Sequence, residues 1–542
     1  MSAVRPPWFD PSTPSAADCV VPRLLDRFAR ETPDKVFVRF ETGETWTWAE
    51  TRARSLSTAA ALQARGVRRG DIVAAWAPNG PALLRAWFGA NYLGAALGPI
   101  NTSFRGKLLE HALKICGAKL LILHPELAER LEGLSLGEVE RVVLTDLSAL
   151  ASRFGVAVEP SSALDGDPKD IALPTVEPWD TPAIIFTSGT TGPSKAVVTS
   201  YVQMWTTGRI TYGYMGASDR ILVNLPMFHV GGITPIMAAL SCGGSVALFD
   251  GFDTAGFWNA VRETGSTTCS GFIGALSTFL AKEPPQPGDR ENPLRICTLS
   301  PISEETIALS ARFGFDYVSG FNMTEVSCPL ITEMNETTLR SCGRARTGVE
   351  CRIVDENDYP VADGMVGELV LRTTNPWALF KGYLNNPEAT AEAWRNGWFH
   401  TGDLLMRDAD GAFFFIDRKK DAIRRRGENM SSLEIEAEVA AYSDVREVAA
   451  YGVDMPGGEQ EVMICVAPPP GGAVDPEALI RFLLPRMTHF MVPRFVRVEA
   501  TLPKTPTNKV QKVELRAEGV TAGTWDREAA GIVVKRQKLS VS

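Results

Sequence analysis

The stretch FTSGTTGPSK, residues 186–195, combines hydroxyl side chains, glycines and one lysine, and contains no acidic residue. Hydroxyl groups donate hydrogen bonds, glycines let backbone N–H groups approach an anion closely, and lysine adds a compact positive charge. The residues concerned are Thr187, Ser188, Gly189, Thr190, Thr191, Gly192, Ser194 and Lys195. This chemistry suits a phosphate group. A polar hairpin turn has a similar composition, so composition alone leaves both interpretations open.

The spacing of this loop differs from that of the Walker P-loop, which is GxxxxGK[ST] between a strand and a helix. No Gly-Lys pair in the chain is followed by serine or threonine. The flanking segments AIIF and KAVVTS are apolar and β-branched, which favours strands on both sides. We therefore expect a loop that joins the two strands of a hairpin, with no helix dipole behind it.

Four other segments carry polar groups in short motifs: GFNMTE (320–325), TGD (401–403), DRKKDAIRRRGEN (417–429) and PKTPTNK (503–509). Together with the loop, they resemble the AMP-forming acyl-CoA synthetase superfamily, which also contains firefly luciferase and the adenylation domains of peptide synthetases. The resemblance runs from about residue 20 to 518, with the motifs in the family's order. The segment IRRRGENMSSLEIE looks closest to the carnitine/crotonobetaine-CoA ligase-like branch.

The resemblance implies an ATP-dependent ligase that joins a carboxylic acid to coenzyme A. The acid would attack the α-phosphate of ATP, giving an acyl-adenylate and pyrophosphate, and the CoA thiol would then displace AMP. ATP, Mg²⁺ and CoA are the cofactors implied. An adenylate-forming amide synthetase, or acyl transfer to a carrier protein, is the alternative. A nucleotide-binding protein without turnover is the third hypothesis.

For the nucleotide, the resemblance implies that the 187–195 loop holds the β- and γ-phosphates. Thr324 would hydrogen-bond the α-phosphate, and Glu325 would bind Mg²⁺, which prefers oxygen ligands. Asn322 and Met323 would lie beside the nucleotide. Asn322 departs from the family, which usually has an aromatic residue there to pack on adenine.

The resemblance also implies roles for Asp403, Arg418, Lys509 and His229. Asp403 would accept hydrogen bonds from the ribose hydroxyls, with Arg418 assisting. Lys509 would bridge the carboxylate and the α-phosphate, although it follows Asn508 where the family usually has glycine. His229, in PMFHVGG, matches the acyl-pocket gate of the family, although a buried histidine held by backbone is the common alternative.

Delivery to CoA would require the small domain to move. Lys420 occupies the hinge position of the family, and Arg426, Gly427 and Glu428 would line a pantetheine tunnel. The arginines at 424–426 would meet CoA phosphates or form a solvated face, and both interpretations stay open. Residues 271–275 are expected to form an apolar wall of the acyl pocket, which suits an aliphatic, aromatic or alicyclic acid.

Composition places the chain among ordinary globular proteins. It has 542 residues, of which 45% are hydrophobic and 22% charged, and a net charge of −9. Dispersed basic residues argue against nucleic acid as the main partner. Nine cysteines without a CxxC pair, and an N-terminus without an apolar run, predict a cytoplasmic chain with reduced thiols. A homodimer is left open.

No charged residue lies between Arg220 and Asp250. That length could span a membrane. Prolines and glycines interrupt it, so we expect a buried strand, loop, helix and strand instead.

The predicted fold is α/β. Two α/β subdomains and a β-barrel-like subdomain form a large N-terminal region (1–418), followed by a small mobile α+β domain (419–520) and a mobile tail (521–542). Within it we expect a helix from Trp48 to Gly66, a strand over 71–78, a helix over 80–97, and a helix capped by Ser431 or Ser432 with Glu434 nearby.

Overall fold

The computed structural model describes residues 13–146, 154–187, 194–270, 272, 277, 280–281, 283–418, 423–425, 428–430, 432–455, 460–503, 510 and 512–534. The α-helices in these residues are α1 Ala16–Cys19, α2 Val21–Glu31, α3 Trp48–Ala64, α4 Pro81–Tyr92, α5 Gly106–Cys116, α6 Tyr201–Thr211, α7 Val230–Cys242, α8 Phe257–Thr264, α9 Glu304–Phe313, α10 Pro387–Ala393, α11 Ser432–Ala440, α12 Pro476–Leu483 and α13 Lys512–Glu518. Short 3₁₀ segments occupy Pro125–Leu131, Ser161–Leu164, Pro168–Asp170 and Arg395–Gly397.

The strands of the first half alternate with these helices. They are β1 Val36–Phe40, β2 Thr45–Thr47, β3 Ile72–Trp76, β4 Ala96–Pro99, β5 Leu120–Leu123, β6 Arg141–Leu144, β7 Ala157–Glu159, β8 Ile184–Thr187, β9 Lys195–Val198, β10 Arg220–Val223, β11 Ser245–Leu248, β12 Thr268–Cys269, β13 Ile296–Thr298 and β14 Asp316–Val318. The strands of the second half are β15 Gly320–Phe321, β16 Leu330–Ile331, β17 Ser341–Ala345, β18 Val349–Val354, β19 Val366–Thr373, β20 Gly382–Tyr383, β21 Phe399–Arg407, β22 Phe413–Arg418, β23 Ile423–Arg425, β24 Glu428–Met430, β25 Glu447–Asp454, β26 Gln460–Ala467, β27 Phe495–Val498 and β28 Trp525–Asp526.

Two five-stranded sheets form the α/β part of the large region. Their strand orders are β12-β10-β11-β1-β2 and β4-β3-β5-β6-β7, and all pairs except β1–β2 are parallel. Strands such as Leu120–Leu123 are apolar at every position and fully buried. Continuous apolar strands are expected where helices cover both faces of a parallel sheet. The predicted pair of α/β subdomains is confirmed.

The third part of the large region is a seven-stranded sheet of order β15-β16-β17-β22-β21-β19-β18, with antiparallel pairing throughout. It runs from Gly320 to Arg418 and has its own core of buried side chains. The subdomain predicted to be β-barrel-like is thus rich in strands, which form one antiparallel sheet. This sheet carries the motifs GFNMTE and TGD.

The uncharged stretch before Asp250 folds as the strand β10, the helix α7 and the strand β11, as predicted. Most side chains of α7 are buried, which explains the lack of charge on it. In the described part of the chain, no helix combines the length and hydropathy that crossing a bilayer requires.

Local sequence signals set several element boundaries. The helix α3 starts at Trp48 because Thr47 and Glu50 form a capping box, in which each side chain bonds the other's backbone N–H. The predicted helix over 80–97 is too long. It ends at Tyr92, Gly94 adopts a φ of +66°, and Ala96 begins a buried strand beside Ile72–Trp76.

The small domain contains a four-stranded sheet of order β25-β26-β27-β28. Its last strand pairs Trp525 with Val496 and Asp526 with Phe495. The expectation of a mobile tail after residue 520 is therefore wrong for these residues, because backbone pairing fixes them at the sheet edge. Arg494 also forms an ion pair with Asp526 at 3.1 Å.

Candidate active site

The hydroxyl-rich loop lies between two paired strands. β8 and β9 are antiparallel, with Thr187 opposite Lys195 and Ile185 opposite Val197. The predicted strand–loop–strand arrangement is confirmed, and the strand that begins at Lys195 excludes a helix there. Residues 188–193, with Ser188, Gly189, Thr190, Thr191 and Gly192, lie outside the described residues.

The residues on either side of this loop are held by contacts with other parts of the chain and with each other. Ser194 is buried, and its hydroxyl donates a hydrogen bond to Glu434 Oε1 at 2.8 Å. The Ser194 carbonyl oxygen lies 3.0 Å from His111 Nε2. The Thr187 hydroxyl contacts the Lys195 carbonyl oxygen at 3.4 Å. The loop therefore leaves from a fixed base.

Tyr383 lies beside this hairpin, on the strand β20. That strand pairs with β9, with Tyr383 opposite Val197, which extends the hairpin to three strands. The Lys195 ammonium nitrogen lies 4.6 Å from the centroid of the Tyr383 ring. An ammonium over an aromatic face at this distance is a favourable cation–π contact. The ring therefore supports Lys195 at the end of the hairpin.

The opposite end of the Tyr383 side chain contacts Glu325. The tyrosine hydroxyl donates a hydrogen bond to Glu325 Oε1 at 2.9 Å, and both residues are buried. Burial raises the pKa of Tyr383, and the neighbouring carboxylate raises it further, so the hydroxyl remains a donor. One tyrosine thus lies between the loop lysine and the proposed metal-binding carboxylate.

Backbone contacts fix the Thr324–Glu325 segment. The Gln203 side chain, on α6, donates a hydrogen bond to the Thr324 carbonyl oxygen at 2.8 Å. The Phe380 N–H donates to the Glu325 carbonyl oxygen at 2.9 Å. Gln203 is almost fully buried, so its amide is shielded from water. These bonds place the segment between α6 and the residues that lead into β20.

Asn322 and Met323 precede this segment. Asn322 is exposed, and its Oδ1 accepts a hydrogen bond from the Cys328 N–H at 2.8 Å. Cys328 adopts a positive φ of 48°. The asparagine therefore braces the turn that follows the motif. Met323 is half-buried and packs against the core of the seven-stranded sheet.

The TGD motif lies on β21, where Asp403 is directly opposite Arg418 on β22. Asp403 is buried, with 4% of its surface exposed. Its N–H donates to the Thr401 hydroxyl at 3.1 Å, and the Gly402 N–H donates to Glu368 Oε1 at 3.0 Å. The structure thus brings the two predicted ribose-binding residues together on adjacent strands, although the Arg418 side chain lies outside the description.

His229 is the N-cap residue of α7 and is half-buried. Its ring centroid lies 4.8 Å from that of Phe228. Phe272, expected on the acyl-pocket wall, is instead fully buried in an aromatic core and stacks on Phe315 at 5.0 Å. That expectation is wrong for Phe272, because its ring fills this core. Residues 271 and 273–276 lie outside the described residues.

Arg425 is neither a solvated nor a CoA-facing group. It is 3% exposed, its Nε lies 2.7 Å from Glu461 Oε2, and its Nη1 donates to the Phe490 carbonyl oxygen at 2.9 Å. Both expectations for this arginine are therefore wrong. Lys420, Arg426, Gly427 and Lys509 lie outside the described residues, as does the side chain of Glu428.

Glu325 suits Mg²⁺ through its chemistry. Mg²⁺ commonly binds one or two carboxylates together with substrate phosphates rather than a cage of protein ligands. Among the described residues, no three His, Cys, Asp or Glu side chains form a metal-binding group. A single carboxylate near the hydroxyl-rich hairpin has the chemistry of a ligand for an ion that is shared with substrate phosphates.

Three residues of this region were not predicted to take part in the site: Tyr383, Gln203 and Ser194's partner Glu434. Tyr383 and Gln203 reach it through contacts with distant segments, and no local pattern marks them. Glu434 was expected near a helix cap, yet its carboxylate contacts Ser194 at the loop end of the hairpin instead. Other buried polar residues, such as Thr207 and Glu438, lie on the same two helices, so no sequence signal singles out Gln203 or Glu434.

The candidate site therefore contains the strands that flank the hydroxyl-rich loop, a buried carboxylate that shares Tyr383 with Lys195, and an Asp–Arg pair on adjacent strands. The AMP-binding enzyme family model matches residues 25–384, and the AMP-binding enzyme C-terminal domain model matches residues 434–509. The chain belongs to the AMP-binding enzyme family and is an AMP-forming acyl-CoA synthetase. Enzymes of this family use ATP, Mg²⁺ and CoA.

Relatives with assigned activities align over most of their length. A feruloyl-CoA synthase from Amycolatopsis sp is 32% identical over 498 residues, covering 90% of this chain and 97% of that protein. A crotonobetaine/carnitine–CoA ligase from Shigella flexneri is 28% identical over 463 residues, covering 83% and 89%.

Solved structures share the fold. The amide bond synthetase McbA from Marinactinospora thermotolerans aligns with a TM-score of 0.78 at 23% identity, covering 92% of this chain and 99% of that chain. ATP-bound MatB from Rhodopseudomonas palustris aligns with a TM-score of 0.63 at 25% identity, covering 92% and 98%. The predicted family and fold class are confirmed.

Proposed function

We propose that this enzyme activates a carboxylic acid without an α-amino group, aromatic or aliphatic, and transfers it to CoA. The observation that carries the assignment of residues is the contact of Tyr383 with both Lys195 and Glu325. It joins the phosphate hairpin to the carboxylate proposed for Mg²⁺. A triphosphate bound at the hairpin would therefore meet the metal-binding group at the same place.

In the first half-reaction, a substrate carboxylate oxygen bonds to the α-phosphorus while the bond from that phosphorus to the β-phosphate oxygen breaks. Pyrophosphate leaves, and the acyl-adenylate remains. Thr324 would donate to the α-phosphate, and Lys509 would bridge the two reacting anions. Bound Mg²⁺, held by Glu325, would neutralise phosphate charge. Holding the reactants together and neutralising charge are the main tasks, because no enzyme nucleophile is needed.

We assign Asp403 and Arg418 to the ribose. A buried carboxylate makes strong hydrogen bonds to hydroxyl donors, and this carboxylate lies on a strand directly opposite the arginine. Asn322 and Met323, which precede Thr324, are assigned to the surface that faces the nucleotide. Asparagine cannot stack on adenine as an aromatic ring does. We therefore expect the shape of the pocket to hold adenine in place.

In the second half-reaction, the CoA sulfur bonds to the acyl carbon and AMP leaves. Lys420 is proposed as the hinge that allows the small domain to turn. Arg426, Gly427 and Glu428 would then line the pantetheine tunnel. Residues 426–427 connect the paired strands Ile423–Arg425 and Glu428–Met430, whose buried Ile423 and Met430 anchor this hairpin to the core.

His229 is proposed to lie at the acyl end of the site. Its half-buried side chain would act as a gate that opens for the substrate carboxylate. The feruloyl-CoA synthase relative supports an aromatic acid, and the crotonobetaine/carnitine–CoA ligase relative supports a small aliphatic one. A cytoplasmic location and a homodimer stay predictions.

The test is pyrophosphate release from ATP with ferulate, cinnamate, hexanoate, crotonobetaine, carnitine or phenylalanine, each with and without CoA. We expect acid-dependent pyrophosphate and, with CoA, one AMP and one thioester for each acid consumed. AMP release that needs an amine or a carrier protein instead of CoA would favour the alternative acceptors. ATP cleavage to ADP, or none with any acid, would contradict the proposal.

A further inference from the structure

Tyr383 makes two contacts of different kinds with two charged residues. Its ring faces the Lys195 ammonium, and its hydroxyl donates to Glu325 Oε1. Tyr383 is 9% exposed and Glu325 is 6% exposed, so water competes little for either contact. A hydrogen bond to a buried carboxylate restricts which way its second oxygen can point.

The backbone around Tyr383 is held as firmly as its side chain. Its N–H donates to the Thr390 hydroxyl at 2.9 Å, and the next N–H, of Leu384, donates to the Ala196 carbonyl oxygen at 2.8 Å. Gly382 has a φ of +140°, which favours glycine, and a Cβ there would lie 3.1 Å from the Thr390 methyl group. The ring is also packed against Phe380, with centroids 4.9 Å apart.

We propose that Tyr383 is a positioning residue that orients the Glu325 carboxylate towards the metal of bound ATP. Its hydroxyl holds Glu325 Oε1 and so sets the direction in which the carboxylate faces the ion. Its ring, independently, holds Lys195 at the end of the phosphate hairpin. This inference rests on the proposed role of Glu325 in Mg²⁺ binding.

The two contacts can be separated by substitution. Tyr383→Phe keeps the ring for Lys195 and removes only the hydroxyl that contacts Glu325. Partners that orient a metal ligand typically account for about 10–100-fold in metal affinity. We therefore expect Tyr383→Phe to lower the affinity for the ion by that factor. The affinity for the nucleotide without metal should stay within about twofold of the wild type.

The measurement needs no turnover and no acid. Mn²⁺ is titrated by electron paramagnetic resonance in the presence of α,β-methylene-ATP, whose α–β bridge is not cleaved, and binding of the same analogue is measured separately with EDTA. Tyr317→Phe is the matched control, because this buried tyrosine belongs to a different hydrophobic cluster from Tyr383 and donates its hydroxyl to the Glu336 carbonyl oxygen at 2.7 Å. It should leave the Mn²⁺ affinity unchanged.

Glu325→Asp tests the same contact from the other end, because it keeps the carboxylate and shortens its reach to Tyr383. It should lower the affinity for Mn²⁺ as Tyr383→Phe does. The double variant should have an affinity for Mn²⁺ only slightly below that of either single variant. Wild-type Mn²⁺ affinity in either single variant would overturn the proposal, as would an equal loss of metal-free nucleotide binding. An absence of acid-dependent pyrophosphate release in the wild type would refute the proposed function instead, since these titrations do not depend on it.

Discussion

The Ser194 hydroxyl and the Glu434 carboxylate join the two domains through a hydrogen bond of 2.8 Å. Ser194 is 3% exposed and Glu434 is 6% exposed, so the contact lies inside the interface between the loop end of the hairpin and α11. Burial raises the pKa of Glu434 to about 7, while the bond from Ser194 opposes part of that shift. The contact is therefore sensitive to pH near neutrality.

The first prediction concerns this pH dependence. When the contact is lost, Glu434 ionises near its ordinary pKa, whereas in the folded contact it stays protonated up to about pH 7. The folded state is therefore fully stabilised at low pH, and its free energy of unfolding falls as the pH rises from about 4.5 towards 7. Glu434→Gln is neutral throughout and should escape this loss. Its thermal midpoint should match the wild type near about pH 5 and exceed it increasingly up to about pH 8.

The control is Glu477→Gln, which removes an exposed carboxylate that pairs with Arg481 in the same domain. This variant should show no growing difference from the wild type between about pH 5 and 8. A difference between Glu434→Gln and the wild type that is constant over this range would contradict the assignment.

The second prediction concerns Asp403 and the ribose. Asp403→Asn should raise the KM for ATP about tenfold or more, since hydrogen bonds to a charged group contribute about 1.5–3 kcal/mol. Replacing ATP with 2′-deoxy-ATP should lower the affinity of the wild type. The same replacement should change the affinity of the variant little, because the carboxylate that would accept from the 2′-hydroxyl is already missing. Asp363→Asn, which removes an exposed partner of Arg407, is the control. Equal sensitivity of both enzymes to 2′-deoxy-ATP would place Asp403 away from the ribose.

The third prediction concerns Gln203, whose side-chain amide donates a hydrogen bond to the Thr324 carbonyl oxygen. Gln203→Leu leaves that oxygen without this donor and should cost about 1–3 kcal/mol of stability. It should also raise the KM for ATP, because the segment that carries Glu325 shifts. Gln63→Leu, which removes an exposed amide bond to the Ala172 carbonyl oxygen, is the control. A loss of stability in both variants with no change in KM in either would make Gln203 purely structural.

The features that sequence predicted are those specified by neighbouring residues. The strands around the loop follow from β-branched segments, and the start of α3 follows from Thr47 and Glu50, three positions apart. The long uncharged segment could be divided because its glycines and prolines mark turns. Periodicity alone placed the end of α4 too late, since an apolar run serves a buried helix and a buried strand equally well.

The features that sequence did not predict depend on distant partners. Ser194 and Glu434 are 240 residues apart, and nothing near either one specifies the other. Tyr383 enters the site because β20 pairs with β9, and a two-residue strand leaves no periodic signal. Phe272 was assigned to a pocket from its neighbours, yet Phe257 and Phe315 decide where its ring lies.

The last prediction concerns Lys509, proposed to act in adenylation and not in thioester formation. Negative charge gathers around the α-phosphorus as the carboxylate attacks, and a positioned ammonium stabilises that charge more than the ground state. Lys509→Ala should therefore slow pyrophosphate release from acid and ATP by about 10²–10³-fold, by analogy with the loss of one oxyanion donor. Lys504→Ala, in the same motif, is the control and should release pyrophosphate at nearly the wild-type rate.

The second half-reaction distinguishes this role from a general loss of activity. Once the acyl-adenylate exists, the charge on the reacting phosphate is no longer growing, and the turn of the small domain about Lys420 would have removed Lys509 from the site. Given synthetic acyl-adenylate and CoA, Lys509→Ala should thus form thioester at close to the wild-type rate, measured by mass spectrometry of quenched samples. If both steps slow together, Lys509 serves the fold or both conformations. If adenylation stays normal, the bridging ammonium belongs to another residue.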